Sequence, residues 1–246
     1  MTQDRYPLTH KFLMGRARHH LDDREKGLLE ESIVEVQRCP SAHVVLERGD
    51  VIERSTLLID GFIGRVIFEN GQRHIVALHV PGDFVDLHAY ALKRLDHNVV
   101  AIGPVRVGYI PHTRIDELMN TEPHLSRMLW FSTLLDASIH RQWILKLEQL
   151  SADGRLAHIL AEMWTRLDFV GLAETGGFAL PLTQAELADA CGATSIHMNR
   201  VIRKLREAEL ADVSRGRVTF LNRESLMNLA GFESSYLYGE GTLKYL

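Results

Sequence analysis

The chain has 246 residues, with 28 Lys and Arg against 32 Asp and Glu, a formal charge of −4, and 46% hydrophobic residues. That composition suits a globular protein long enough for one large domain or two modest ones, each with its own core. Cys39 and Cys191 are the only cysteines, which excludes a disulfide scaffold and a four-thiolate iron–sulfur or zinc site within one chain. No run approaches the ~20 uninterrupted apolar residues of a membrane helix. The opening stretch MTQDRYPLTHKFLMGRARHH lacks the apolar segment of a secretory signal. The expected setting is therefore a reducing cytoplasm, with no membrane partner. An acidic chain attracts a polyanion only through local patches.

Residues 12–38 read as helical, with Leu28, Leu29, Ile33 and Val36 as apolar contacts. From about Val44 the pattern turns to short β-rich runs, VVLERGDVIE, LLIDGFIGRVIFENGQRHIVALHV and VVAIGPVRVGYI, parted by Gly-containing turns. Glu69-Asn70-Gly71 is a hairpin turn, and the spacing predicts a hairpin-rich sandwich or barrel. No βαβ alternation appears, which argues against a Rossmann-type enzyme.

Residues 122–150 carry no Gly and no Pro beyond Pro123, and Leu125, Met128, Leu129, Leu135, Ile139, Trp143, Leu147 and Leu150 recur at three- and four-residue steps. The spacing predicts a helix of about 40 Å at ~1.5 Å per residue. An apolar stripe that long needs a large surface to bury it. A second copy of the chain is the economical partner, and a core helix of one large domain is the alternative. Leu125, Met128, Leu135, Ile139, Trp143 and Leu147 are the expected dimer contacts. Ser151-Ala152-Asp153-Gly154 breaks this helix and can cap the next, whose apolar set is Leu156, Ile159, Leu160, Met163 and Leu167.

The loop GLAETGGFALP leads to LTQAELADACGATSIHMNRVIRKL. Thr183 with Glu186 makes a capping box, Gly192 permits a positive φ in a tight turn, and Thr194 or Ser195 can cap a second helix. On that helix Met198, Val201, Ile202 and Leu205 fall on one face, and Ser195, Ile196, Asn199, Arg200 and Arg203 on the other. Two short helices joined by a Gly turn, the second basic outside, are a helix-turn-helix. Its chemistry fits double-stranded DNA. Arg reads guanine, Asn reads adenine, an outward Ile196 meets a thymine methyl, and Lys204 and Arg206 suit phosphates. Leu210-Ala211-Asp212-Val213 and Val218-Thr219-Phe220-Leu221 flank Ser214-Arg215-Gly216-Arg217, a two-strand wing with a basic tip. A merely solvated basic face explains the helix alone but not the capping box and wing at these distances. The expected DNA-binding residues are Thr183, Ser195, Ile196, His197, Asn199, Arg200, Arg203, Lys204, Arg215 and Arg217.

The segments LERGDVIE, DGFIGRVIFENGQRHIVALHVPGDFVDLH, ADGRLAHIL and LTQAELADACGATSIHMNRVIRKLREAEL resemble the Crp/Fnr transcription regulators, over about residues 25–232. The resemblance implies an α+β chain with an N-terminal double-stranded β-helix (β-roll) of the cyclic-nucleotide-binding type over 1–121, a dimerisation helix over 122–150, and a winged helix-turn-helix over 151–246. It implies a homodimer on a near-palindromic operator, with RNA polymerase as a partner and an effector at the β-roll. The effector candidates it marks are Gly82, Asp83, Phe84, Leu95, Asp96, His140 and Arg141. Departures from the pattern speak against cyclic AMP. Leu95-Asp96 stands where an Arg-Ser pair holds the cyclic phosphate, and an Asp repels a phosphate. His140 and Arg141 replace a hydroxyl pair that meets the adenine, and the N-terminal cysteine group of oxygen-sensing members is missing. Arg200 matches the family's base-reading Arg, while Ile196 stands where many members have Glu, so the operator is expected to differ from theirs.

A second reading takes His79, Asp83, Asp86, His88 and His97 as ligands of a metal- or haem-bearing sensor, or of a metal-dependent hydrolase. No spacing among them matches a defined ligand motif, and alternation along strands with Asp-capped turns explains them without a metal. Cys191 reads as a core thiol, and Trp130, Trp143 and Trp164 read as core or interface residues. No nucleophile–base pair has motif support, so catalysis is not expected.

Overall fold

Asp22 and Glu25 form a capping box that starts helix α1 (Asp23–Glu31) in the computed structural model, which describes residues 5–241. The strands β1 (Glu35–Cys39), β2 (Val44–Leu46), β3 (Arg54–Glu69) and β4 (Gln72–His79) follow, then the short helix α2 (Ala89–Leu92) and β5 (Asn98–Pro111). All pairings are antiparallel, in the order β1-β5-β3-β4, with β2 also on β5. The long strands β3 and β5 slip register around Asp60, so the sheet folds over itself as the expected β-roll. The Asn70-Gly71 hairpin forms as read, with Glu69 opposite Gln72 and positive φ at both turn residues.

The helical reading of 12–38 holds only for α1. Residues 7–17 run as successive turns, and Glu35–Cys39 is strand β1. Pairing of β1 along 105–109 of β5 decides this segment, whose own helical pattern is weak.

Helix α3 (His112–Thr121) turns into α4 (Pro123–Gln149), and α5 (Ala152–Phe169) follows after a break at Leu150-Ser151. Ser151 sits at the N-cap, but its hydroxyl bonds the Asp153 carboxylate and caps no backbone group. The last part holds β6 (Gly177–Ala179), α6 (Gln184–Cys191), α7 (Ser195–Glu207), β7 (Ala211–Ser214), β8 (Arg217–Phe220) and α8 (Arg223–Ala230). The stretch read as the loop GLAETGGFALP contains β6, which pairs with β8 and makes the two-strand wing a three-stranded sheet.

Leu125 and Met128 pack in a core with Phe12, Leu57 and Phe84. Leu135, Ile139 and Trp143 join another core, which runs from Phe62, Val66 and Ile75 of the roll to Leu187, Met198 and Leu205 of the C-terminal helices. The two halves therefore share one apolar core across α4. These five residues, expected at a dimer seam, are buried against their own chain, and only Leu147 of that set stays exposed. The α4 surface left open is a different stripe, Arg127, Trp130, Leu134, Ala137, Arg141, Ile144 and Glu148, at alternating three- and four-residue steps.

Asp86 is fully buried beside β3, accepting from the Thr56 N–H at 2.6 Å and the Thr56 hydroxyl at 2.9 Å. Burial pushes its carboxyl up to about 7. This lies above the ~3.9 of an unfolded Asp, so the associated stability is present below about pH 4 and lost as pH rises through 7. The stability advantage of wild type over Asp86→Asn is expected to shrink between pH 5 and pH 8 in urea unfolding. An advantage equal at both pH values contradicts this.

Candidate nucleic-acid interface

Helix α6 begins with the expected capping box. Thr183 Oγ1 accepts from the Glu186 N–H at 3.2 Å, and the Thr183 N–H donates to Glu186 Oε2 at 2.8 Å. Gly192, in the left-handed region at φ +61°, ends α6, and Thr194 caps α7 by accepting from the His197 N–H at 3.2 Å. The turn between the helices is only three residues long, Gly192 to Thr194, because a residue with no Cβ penalty stands at its start. Met198, Val201, Ile202 and Leu205 are buried under α7. Ser195, Ile196, His197, Asn199, Arg200, Arg203 and Lys204 are all exposed on its other side, Ile196 by 72%.

These exposed groups are not equally free. Asn199 Nδ2 donates to Gln184 Oε1 at 3.0 Å, which fixes the amide across the two helices. Lys204 pairs with Asp153 at the start of α5, and Arg203 lies 3.7 Å from Glu207. Thr183 spends its hydroxyl within the capping box. Arg200 has no ion pair among the described residues, so its guanidinium projects from the centre of the face with all its donors available. Arg215 and Gly216 form the wing tip at positive φ, with Ser214 opposite Arg217. Arg217 is turned back onto Glu174, at 3.2 Å between Nη1 and Oε1. Gln184 is not among the residues expected from the sequence at this face. Its position one residue inside the capping box was the available signal, since the first turn of α6 opens toward the α7 face.

The seven effector candidates do not converge. Gly82, Asp83 and Phe84 line a small space of about 20 Å³ with Leu13, Arg16, His79, Ser132, Leu135, Asp136, Ile139 and Arg166. Leu95 is instead buried in a core with Ile52 and Val85, and Asp96 points outward, 2.7 Å from His97 Nδ1. His140 holds the Asp136 carbonyl at 2.9 Å, and Arg141 is exposed on the opposite side of α4. Only a contiguous stretch of sequence and a helix partner could be read ahead of the fold. The residues that fill the space come from the N-terminal segment, α4 and α5, up to 83 positions from Asp83.

Arg166 Nη2 of α5 meets Asp83 Oδ2 at 2.6 Å, and its Nη1 meets Glu162 Oε1 at 3.1 Å. Arg166 and neighbouring cations hold the Asp83 carboxyl well below the usual carboxylate range, despite burial that opposes this. The backbone at Gly82 (φ +98°) is closed over by the N-terminal segment, where an added Cβ would lie 2.3 Å from the Lys11 carbonyl oxygen. Arg16 reaches across to the Leu237 carbonyl at 2.9 Å. Arg65 of β3 pairs with Asp136 of α4 at 2.6 Å, and Glu162 also accepts from Trp143 Nε1 at 3.2 Å and Tyr236 Oη at 2.8 Å. On the other side of the shared core, Arg73 of β4 pairs with Asp189 of α6 at 2.7 Å. Asp83, Asp86 and His97 are thus engaged with protein groups. Among the described residues no three His, Cys, Asp or Glu side chains are grouped to hold a metal ion, and no helix is long and apolar enough to cross a membrane.

Residues 36–122 match the family described as the cyclic nucleotide-binding domain, and residues 154–229 match the Crp-like helix-turn-helix domain. The transcriptional activator protein FnrL of Cereibacter sphaeroides is 26% identical over 233 residues, 93% of this chain and 91% of that protein. The fumarate and nitrate reduction regulatory protein of Vibrio cholerae is 25% identical over 212 residues, 86% of this chain and 84% of that protein. FixK2 from Bradyrhizobium japonicum shares the fold, with a TM-score of 0.72 at 22% identity, over 79% of this chain and 96% of that one. A β-roll, a long helix and a winged helix-turn-helix with an open basic face follow one another in this chain, the two family matches fall on the roll and on the winged helix-turn-helix, and the chain belongs to the Crp/Fnr family of DNA-binding transcription regulators.

Proposed function

We propose that the chain regulates transcription in the cytoplasm as a homodimer on a near-palindromic operator, with 1–121 as sensor, 122–150 as dimer helix and 151–246 as DNA-binding part. The observation that carries this reading is the capped, well-seated α7 with Arg200 unpaired at the centre of its exposed face. Activation through RNA polymerase is supported by the names of relatives, FnrL among them. An effector acting on the sensor shifts the balance between DNA-competent and incompetent dimers by its differential affinity for the two. The shared core and the Asp83–Arg166 pair give the sensor a direct hold on α5.

The pairing surface on α4 follows from what the monomer leaves open. Trp130, Leu134 and Ile144 are 65%, 52% and 69% exposed, and with Ala137 they form a heptad seam that Arg141 interrupts and Arg127 and Glu148 bound at its ends. Leu134→Glu with Ile144→Glu is expected to convert the dimer to a folded monomer in sedimentation, by charging a dry seam. Ile139→Glu is expected to destabilise the monomer itself, by roughly 3 kcal/mol or more, because it forces a charge into the shared core. A wild-type monomer at micromolar concentration contradicts the seam.

Cyclic AMP does not fit the space beside Gly82-Asp83, which holds about 20 Å³ and faces a carboxylate. Calorimetry is expected to detect no micromolar binding and DNA affinity to be unchanged by the nucleotide. Micromolar binding with a matching gain in DNA affinity overturns this.

Two symmetric α7 helices should contact half-sites about one DNA turn, ~34 Å, apart. Arg200→Ala is expected to cost roughly 1–3 kcal/mol per half-site and to relax preference at one position, measured with labelled duplexes selected from a random pool. Lys204→Ala is expected to weaken all sequences alike and lower the salt slope, as a phosphate contact does. Equal weakening of cognate and scrambled DNA by Arg200→Ala makes Arg200 a phosphate contact and sinks the base-reading assignment.

A further inference from the structure

A large apolar recess of the β-rich half lies outside the roll, between α2, α3 and the N-terminal half of α4. Its volume is about 520 Å³, against about 20 Å³ beside Asp83. That is within the range of sites that enclose small molecules. Its floor is Ile115 and Leu129, both in the buried core, and its walls include Leu92, Met119 and Trp130, which are 67%, 45% and 65% exposed. No Asp, Glu, Lys or Arg lines it.

The polar groups of the lining are nearly all spent. Tyr90 bonds Asp116, Ser126 donates to the Leu118 carbonyl at 3.1 Å, and Thr133 donates to the Leu129 carbonyl at 3.4 Å. His88 is different. Its ring nitrogens have no hydrogen-bond partner among the described residues, and burial together with the nearby Arg65 holds its imidazole down at about 4, so it is neutral at pH 7. An ionic ligand finds no counter-charge here, while a neutral ring finds apolar walls and one free imidazole.

We propose that this groove binds a neutral aromatic small molecule carrying one hydroxyl or carbonyl, with His88 as its hydrogen-bond partner. Trp130 is both a wall of the groove and a position of the open α4 stripe, so an occupant touches the sensor's α2 and the pairing surface at once. The site deepens the effector control proposed above and rests on that reading for its consequence, whereas binding itself is measured independently.

Full-length protein is titrated at pH 7 with naphthalene and with 2-naphthol, followed by tryptophan fluorescence and calorimetry. Saturable binding of one molecule per chain is expected, in the micromolar to submillimolar range for ligands of this size. Ala91→Trp, at an exposed position on the groove wall, should weaken both ligands by roughly tenfold or more through filling the space, and Thr133→Phe should do the same from α4. His88→Phe should weaken 2-naphthol by roughly tenfold, the equivalent of one hydrogen bond, and leave naphthalene nearly unchanged. Circular dichroism of each variant checks its fold. Absence of saturable binding, or binding indifferent to both filling variants, overturns the proposal. Binding confined to the Leu134→Glu, Ile144→Glu protein overturns it too, because a second copy then covers the groove. DNA affinity is read in parallel. Its absence in the wild type sinks the regulator reading and leaves the groove to be judged by the titrations.

Discussion

Asp83, Glu162 and Asp136 are set against Arg16, Arg65 and Arg166 at the place where the roll, α4 and α5 meet. Moving six charges out of water is expensive, and the cost is offset only where every charge has a close partner. Here the carboxylates and guanidinium groups balance in number, Arg166 and Arg65 each meet a carboxylate, Arg16 donates to the Leu237 carbonyl, and Trp143 and Tyr236 donate to Glu162. A cluster of this kind tolerates little displacement, because separating any one pair leaves a buried charge uncompensated. It thereby fixes α5 relative to the roll, and α5 supports α6, α7 and α8.

The same cluster explains why the pocket of the β-roll is nearly full. Arg166 enters from α5, Leu13 and Arg16 enter from the N-terminal segment, and Gly82 lies under the Lys11 carbonyl. The charge facing Asp83 belongs to the protein itself. In this chain the roll works as a mounting for the DNA-binding part, and the space available to a small molecule lies on its outer side. As a member of its family the protein is a regulator and not an enzyme.

Helix α4 serves two surfaces with two stripes. Leu125, Met128, Leu135, Ile139 and Trp143 close the cores of their own chain, whereas Trp130, Leu134, Ala137 and Ile144 stand free. A helix that buries one stripe and carries a second apolar stripe on its open side is apolar over most of its circumference, so both stripes show helical spacing in the sequence. The larger, more regular run of leucines, expected at a dimer seam, lies in the cores of its own chain. Spacing identifies that a face is apolar, and only the neighbours decide which face meets which partner.

Local physics made much of this protein legible from its sequence. The capping box at Thr183, the turn at Gly192, the inward and outward sets of α7 and the Asn70-Gly71 hairpin are each determined within a few residues, and each appears as read. Interactions between distant segments decided the rest. Strand β1 exists because it pairs with β5, β6 because it pairs with β8, and Leu95 and Asp96 part from Asp83 because the loop between α2 and β5 buries Leu95 against Ile52 and Val85 and leaves Asp96 outside. The Asp83–Arg166 pair joins residues 83 positions apart. No periodicity or motif encodes such a contact, since its energy depends on burial and on a geometry that exist only once the chain has folded.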